Sequence, residues 1–278
     1  MEQAERKDTK ENHPLTHHHH PGQSRPRHRR SVPPPRSKTP PANTTSPPPP
    51  KGAKGIGRMI ATGFITNGAK VYITGRDAAA CHAAVTSLQP LARLSGSIHA
   101  LPANLQHLDE CESLAASLAG LEPAGLHVLV NNAGATWGAE LDTHPDAAWT
   151  KLLTLNLQRA FTLTQLCLPL LERAGTADDP ARVIHIGSID GLRVPTLANF
   201  AYAASKAGLH HLSRHIARDL GFRNVTSNVL ACGPFRTKMM KATLDAAEGV
   251  LTENIPLGRI GRDEDVAGSA VFLASKAG

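Results

Sequence analysis

Tyr202 and Lys206 stand four residues apart in Tyr202-Ala203-Ala204-Ser205-Lys206, a spacing that puts both side chains on one face of a helix. A free tyrosine, with a pKa of about 10, is a poor acid–base group near neutrality. A neighbouring ammonium favours the phenolate and lowers that value. Such a pair could give a proton to a carbonyl oxygen or take one from an alcohol. The same pattern also arises by chance, as a half-buried tyrosine beside a surface lysine. Three other features give it weight. Ser188 follows the apolar run Val183–Ile186 and precedes Tyr202 by fourteen residues; its hydroxyl could bond the same substrate oxygen, although a lone serine there is also a common turn residue or N-cap. Asn132, Ala133 and Gly134 follow another apolar run, where small residues let a cofactor approach the backbone. Asn156 falls inside a helical stretch as Leu155-Asn156-Leu157, an unfavourable place for its side chain, so it is either exposed or serves a site.

These residues need elements to hold them. The pattern predicts helices over about Gly55–Asn67, Asp77–Gln89, Leu108–Ala119, Asp146–Leu171, Tyr202–Leu220 and Glu264–Ser275. Pro169 is expected to end or kink the fourth. Strands are expected at Lys70–Thr74, Ser97–Leu101, Leu126–Val130, Val183–Ile186 and Val225–Leu230. Alternation at this spacing predicts βαβ units, a doubly wound parallel sheet of α/β class and ligands at the carboxyl ends of its strands. The reactive residues fall at those ends.

Composition breaks near residue 50. Residues 1–50 hold twelve of the 21 prolines and nine Lys/Arg against four Asp/Glu, so most of the +7 formal charge is theirs. With few large apolar residues to bury, this segment is predicted to be a disordered tail, and residues 51–278 to be the folded domain. That domain is nearly neutral, which gives it no strong claim on nucleic acid. His17–His20 is read as a solvated tract rather than a metal site. Pro33-Pro34-Pro35-Arg36 could engage an SH3-type groove. No apolar run of about 18 residues predicts a membrane span. Four cysteines without a CxxC pair read as reduced thiols of a cytoplasmic protein. A mitochondrial presequence is disfavoured by Glu2, Glu5, Asp8 and Glu11.

Taken in order, Lys54-Gly55-Ile56-Gly57, Asn131–Gly134, Asn156, Ser188, Tyr202/Lys206 and Gly233…Thr237 resemble the motifs of the short-chain dehydrogenase/reductase family over about residues 51–278. Asn132-Ala133-Gly134-Ala135-Thr136-Trp137-Gly138, Pro180-Ala181-Arg182-Val183-Ile184 and Ile255-Pro256-Leu257-Gly258-Arg259 are most similar to its 3-oxoacyl-carrier-protein reductase type, the rhamnolipid-biosynthesis ketoacyl reductases among them. The resemblance implies a Rossmann-type fold and reduction of a ketone, such as a 3-oxoacyl thioester, to a secondary alcohol. In it Tyr202 is the general acid–base and Lys206 lowers its pKa and holds the nicotinamide ribose. Ser188 orients the carbonyl, and Asn156 supports a water in the proton relay. Cofactor contacts fall to Lys54, Gly55, Ile56, Gly57, Arg76, Asn104 near the adenine, Asn132, Ala133, Gly134, Thr237 and again Tyr202 and Lys206. Lys54, and Arg76 just after the strand ending at Thr74, suit a 2′-phosphate and so NADP(H) rather than NAD(H); Asp77 is the contrary feature. The partners implied are a small-molecule carbonyl or alcohol and a second copy, as homodimer or homotetramer, through the helices carrying Asn156 and Tyr202. Pro234–Leu257 is expected to form the lid over the substrate.

The sequence departs from that pattern at both ends. Where the family has a central first strand and a Thr-Gly turn, this chain reads Thr44-Thr45-Ser46-Pro47-Pro48-Pro49-Pro50-Lys51, and four prolines cannot pair in a central strand. The family's last strand also has no counterpart after Ser275. The expectation is a sheet lacking its first and last strands and a marginal or impaired chain, such as a mis-drawn gene model or a splice variant would give. A third reading makes the proline-rich tail the working part of an interaction protein.

Overall fold

Apolar β-branched runs bounded by glycines and polar turns build five strands, and the amphipathic stretches between them build helices that cover both faces. The computed structural model describes residues 55–278, apart from the side chains of Ala246, Ala247 and Val250. All of them belong to the larger of the chain's two units, Pro49–Gly278. The expectations for the tail 1–50, for Lys54 and for the turn at Pro50-Lys51 lie outside the described residues.

In chain order the elements are α1 (Ile56–Thr66), β1 (Lys70–Ile73), α2 (Ala78–Leu88), β2 (Ser97–Ala100), α3 (Leu108–Leu121) and β3 (Val128–Asn131). They continue as α4 (Asp146–Leu153), α5 (Arg159–Ala174), β4 (Ala181–Ile186), α6 (Phe200–Leu220), β5 (Val225–Leu230), α7 (Lys241–Glu253) and α8 (Asp263–Ala274). All strand pairings are parallel. β1 pairs with β2 in the register Val71↔Ile98; β4 lies between β3 and β5, with Leu129↔Val183 and Val183↔Ser227 in register. This is the Rossmann-like α/β arrangement expected, with β4 buried along its whole length.

Among the described residues the sheet is in two pieces, β1–β2 and β3–β4–β5. The helices span the break. On one face α1 packs Met59 and Ile60 with Ile184 and the partly buried Val128 and Val130, while its Ala61 and Ile65 pack with Val71 and Ile73. On the other face Tyr72 and Leu129 share a core with α3 and α5. A helix about 10 Å across that touches strands on both sides of a break spans a width of about one further strand, given spacings of about 4.8 Å. The expectation that the first strand is missing falls on residues outside those described. The expectation about the last strand concerns the stretch after α8, where Ser275–Gly278 form a turn.

Two local details differ from expectation. Of the two outcomes expected at Pro169, an end or a kink, the helix does not end there but continues to Ala174. Pro169 offers no N–H to the Gln165 carbonyl, but buried Leu170 and Leu171 hold the last turn in the core. The long helix expected from Asp146 is also interrupted, by a single π-helical turn at Thr154–Gln158. The expected lid region, Pro234–Leu257, contains α7, a helix not among those the pattern predicts.

Candidate active site

Each strand that bears a candidate residue ends toward the same cleft. Asn132–Gly134 follow β3, Ser188 follows β4, and Arg76 and Asn104 follow β1 and β2. All four groups line one continuous cavity of about 2460 Å³, together with Gly55–Gly57, Asn156, Tyr202, Lys206 and Thr237. Every described candidate residue is therefore brought to one place.

α6 is the central support. Ala201 and Ser205 are fully buried, and these small side chains let the N-terminal half of the helix lie close to its neighbours. Tyr202 and Lys206 then share the face turned to the end of β4. Lys206 is 5% exposed, and its Nζ donates to the Ile186 carbonyl at 2.7 Å. Nζ lies 5.8 Å from the centroid of the Tyr202 ring. Burial pushes the Lys206 ammonium down to about 8.

The expected depression of the Tyr202 phenol by Lys206 is not what this geometry gives. Burial raises the phenol's pKa, and the opposing influence is a hydrogen bond with the Ser188 side chain. Lys206 is committed to a main-chain carbonyl and is itself desolvated, so its field does not govern the phenol. Nearby Cys232 lines the same cleft, and burial pushes its thiol up to about 11, which keeps it protonated and non-nucleophilic near neutrality.

Asn156 is buried rather than exposed. The π-helical turn carries it inward, a distortion common at functional sites. Its Oδ1 accepts from Ala135 N at 2.8 Å, and its Nδ2 donates to Ala135 O at 2.9 Å and to Ser205 Oγ at 3.0 Å. Ser205 Oγ in turn donates to the Tyr202 carbonyl at 2.7 Å. Asn156 thus ties the loop after β3 to the Tyr202 turn of α6. Ser205, which the sequence did not single out, is the intermediate link.

Two glycines set close approaches. A Cβ on Gly57 would lie 2.5 Å from Asn132 Nδ2, so a side chain there would force the Asn132 amide to move. A Cβ on Gly134 would sit 3.2 Å from Asn156 Oδ1 and 3.6 Å from Lys206 Nζ. Around the outer part of the cleft, Arg76 is exposed. Asp77 caps α2, its Oδ1 accepting from Ala80 N at 3.0 Å. Asn104 Oδ1 accepts from Gln106 N at 3.3 Å, closing a turn, and Thr237 Oγ1 accepts from Met240 N at 3.3 Å ahead of α7.

The burial of Lys206 has a measurable consequence for stability. Its pKa of about 8 in the folded chain compares with 10.5 in the unfolded one. Between those values the unfolded chain binds more protons, so stability climbs with pH in that window and is lost again as pH falls through 8. Urea melts of the wild type and Lys206→Met at pH 7 and 10.5 should diverge by roughly 3 kcal/mol in their pH dependence. The climb belongs to the wild type; parallel curves for the two proteins would rule out a buried, easily deprotonated lysine.

Comparison with known proteins bears on the same region. The family model described as enoyl-(acyl carrier protein) reductase matches residues 52–278. The chain is 41% identical over 229 residues to the rhamnolipids biosynthesis 3-oxoacyl-[acyl-carrier-protein] reductase of Pseudomonas aeruginosa, covering 82% of this chain and 88% of that protein. Among solved structures it is similar to the Pseudomonas aeruginosa RhlG/NADP active-site complex, with a TM-score of 0.75, 41% identity and coverage of 80% and 85% of the two chains. It is also similar to a 7α-hydroxysteroid dehydrogenase complexed with NADH and 7-oxo glycochenodeoxycholic acid, with a TM-score of 0.73, 31% identity and coverage of 81% and 84%.

Proposed function

Because this chain belongs to the short-chain dehydrogenase/reductase family of oxidoreductases, we propose that it reduces a ketone to a secondary alcohol with NADPH, and that its substrate is a 3-oxoacyl thioester. The observation that carries this reading is the meeting of Tyr202, Ser188, Lys206 and Asn156 at one cleft. The cleft fits a dinucleotide. Gly55, Ile56, Gly57, Asn132, Ala133, Gly134, Asn104 and Thr237 line its length, and the glycines keep the main chain there free of side chains. The N-terminal end of α1 suits a pyrophosphate. When bound, the nicotinamide supplies the hydride.

The protein's part is to place the carbonyl and supply the proton. Ser188 and Tyr202 line the same cleft, where the Ser188 side chain opposes the rise that burial gives the phenol's pKa, and so can converge on one substrate oxygen. The buried phenol is neutral near pH 7 and serves as the acid in the direction of reduction. Lys206 holds the strand end through Ile186 and presents its ammonium to the cofactor ribose. Asn156 fixes the loop and the Tyr202 turn, and from that place supports the water of the proton relay.

The preference for NADPH rests on charge. Arg76 is exposed at the end of β1, while Asp77 is engaged as the cap of α2, so the cation rather than the acid is free to meet a 2′-phosphate. The similarity to an NADP complex at 41% identity points the same way. Self-association through α5 and α6 goes with this reading, where Phe161 and Phe200 are exposed, as does a cytoplasmic setting. No described helix is long and apolar enough to cross a membrane.

Steady-state kinetics with a 3-oxoacyl thioester test the proposal. KM should be lower for NADPH than for NADH, and the product should be the 3-hydroxy thioester. A lower KM for NADH overturns the cofactor assignment; tight NADPH binding without thioester reduction overturns the substrate. A second reading, a family member impaired in turnover, is favoured by the two-piece sheet among the described residues. It predicts weak NADPH binding in a fluorescence titration of the purified chain. The reading in which the proline-rich tail is the working part concerns residues outside those described.

A further inference from the structure

We infer that His210 is a positioning residue, holding the main chain of Ser188 and thereby aiming the Ser188 hydroxyl at Tyr202; this rests on the function proposed above.

Just beyond β4 the parallel ladder to β5 continues through alternate residues. Gly187 N donates to Leu230 O at 2.9 Å, and Ile189 N donates to Cys232 O at 3.0 Å. The polar groups of Ser188, between them, point to the opposite side. On that side β3 has already ended, since its last pair is Asn131↔His185. Ser188 is only 6% exposed; its C=O accepts from Gly191 N at 3.0 Å in the turn that follows, but its N–H needs a partner from elsewhere.

His210 is the side chain set against both groups, as the partner within reach of the N–H and a second partner for the carbonyl. It lies four residues beyond Lys206 and eight beyond Tyr202 on α6, and is itself 7% exposed. Its Nε2 is 3.1 Å from Ser188 O and 3.4 Å from Ser188 N. In the Nε2–H tautomer the ring donates to the carbonyl beside Gly191 N–H; in the other tautomer Nε2 accepts from the amide, and either one ties the ring to the Ser188 main chain. The approach depends on Gly187, where a Cβ would lie 2.6 Å from Nε2. Lys206 and His210 thus form a matched pair: successive inward groups of one helix face engage Ile186 O and Ser188 O, the alternate carbonyls of one strand end. Asp190 N donates to Ser188 Oγ at 3.2 Å, so the hydroxyl is aimed by the same segment that His210 fixes. Small displacements of an aligned group can cost up to about a hundredfold in rate.

The test compares His210→Leu and His210→Asn, which cannot place a donor at the Nε2 position, with His210→Gln, whose amide can. With a 3-oxoacyl thioester and NADPH, the Leu and Asn variants should lose about tenfold in kcat with KM for NADPH within about twofold of wild type, and Gln should recover most of the loss. In a Ser188→Ala background, His210→Leu should cost nothing more, because both act through one hydroxyl. Hydrogen exchange followed by mass spectrometry should show faster exchange over 187–191 in the Leu and Asn variants and near-normal exchange in Gln. An unchanged kcat in the Leu and Asn variants, a Gln variant as damaged as Leu, or a full further loss in the Ser188→Ala background would each overturn the inference. If the wild type reduces no thioester, the proposed function fails by itself, and exchange over 187–191 then decides the role of His210: unaltered protection in the Leu and Asn variants would refute it.

Discussion

Tyr202→Phe should lower kcat for ketone reduction by about 10²–10⁴-fold, the usual range for loss of a positioned general acid, with KM for NADPH nearly unchanged. The argument rests on what the phenol touches. Its hydroxyl faces the cleft and Ser188 rather than the core, so removing it leaves no buried carbonyl without a partner and should shift the melting temperature by no more than a degree or two. Its pKa is raised by burial, so the acid form is fully populated through neutral pH. Reduction should therefore be flat up to about pH 8, fall as the Lys206 ammonium is lost there, and fall again above the ordinary tyrosine range. In Lys206→Met the first fall should vanish while the second stays. A Phe variant that keeps more than a tenth of wild-type kcat would remove Tyr202 from the chemistry and leave Ser188 as the group to examine.

Much of this site was legible before any coordinates. Apolar runs locate the five strands of the described residues within two or three residues, because each is a short, largely apolar run bounded by a turn. Tyr202 and Lys206 could be paired by helical spacing, and Asn156 stood out because asparagine is costly inside a helix. The structure's contribution lies in what spacing cannot encode. The π-helical turn that swings Asn156 inward has no sequence signature of its own; its cause is the pair of hydrogen bonds Asn156 makes with Ala135 across the cleft. Likewise Lys206 looked like a partner for the phenol because the two share a helix face, yet a strand carbonyl lies nearer and takes the ammonium. His210 reads as one more polar residue in His210-His211; only the end of β3 beside Ser188 gives one of the two a partner. Asp77 appeared to oppose a 2′-phosphate until its carboxylate was found capping α2. In each case a tertiary contact overrode a local reading.

Replacing Thr44–Lys51 with five apolar β-branched residues followed by a Thr-Gly turn should raise the melting temperature by about 10 °C and tighten NADPH binding. The prediction follows from the described sheet, in which β1 pairs only with β2 and β3 only with β4, while α1, α3 and α5 contact strands on both sides of the break. The present sequence brings four prolines to the stretch before Lys51, and proline cannot donate in a central ladder. Burial of five large apolar side chains is offset in large part by the entropy of ordering the strand, and a net gain of even about 3 kcal/mol corresponds to some 6–12 °C in a domain of this size. Cofactor affinity should follow, because the new strand would run directly into Gly55–Gly57, which line the cleft, and would fix the α1 terminus against Asn132. An unchanged melting temperature would mean that the inner edges of β1 and β3 are already satisfied by the natural sequence. A rise in stability with no gain in NADPH affinity would separate the two effects and locate the limit on cofactor binding in the turn residues rather than in the strand.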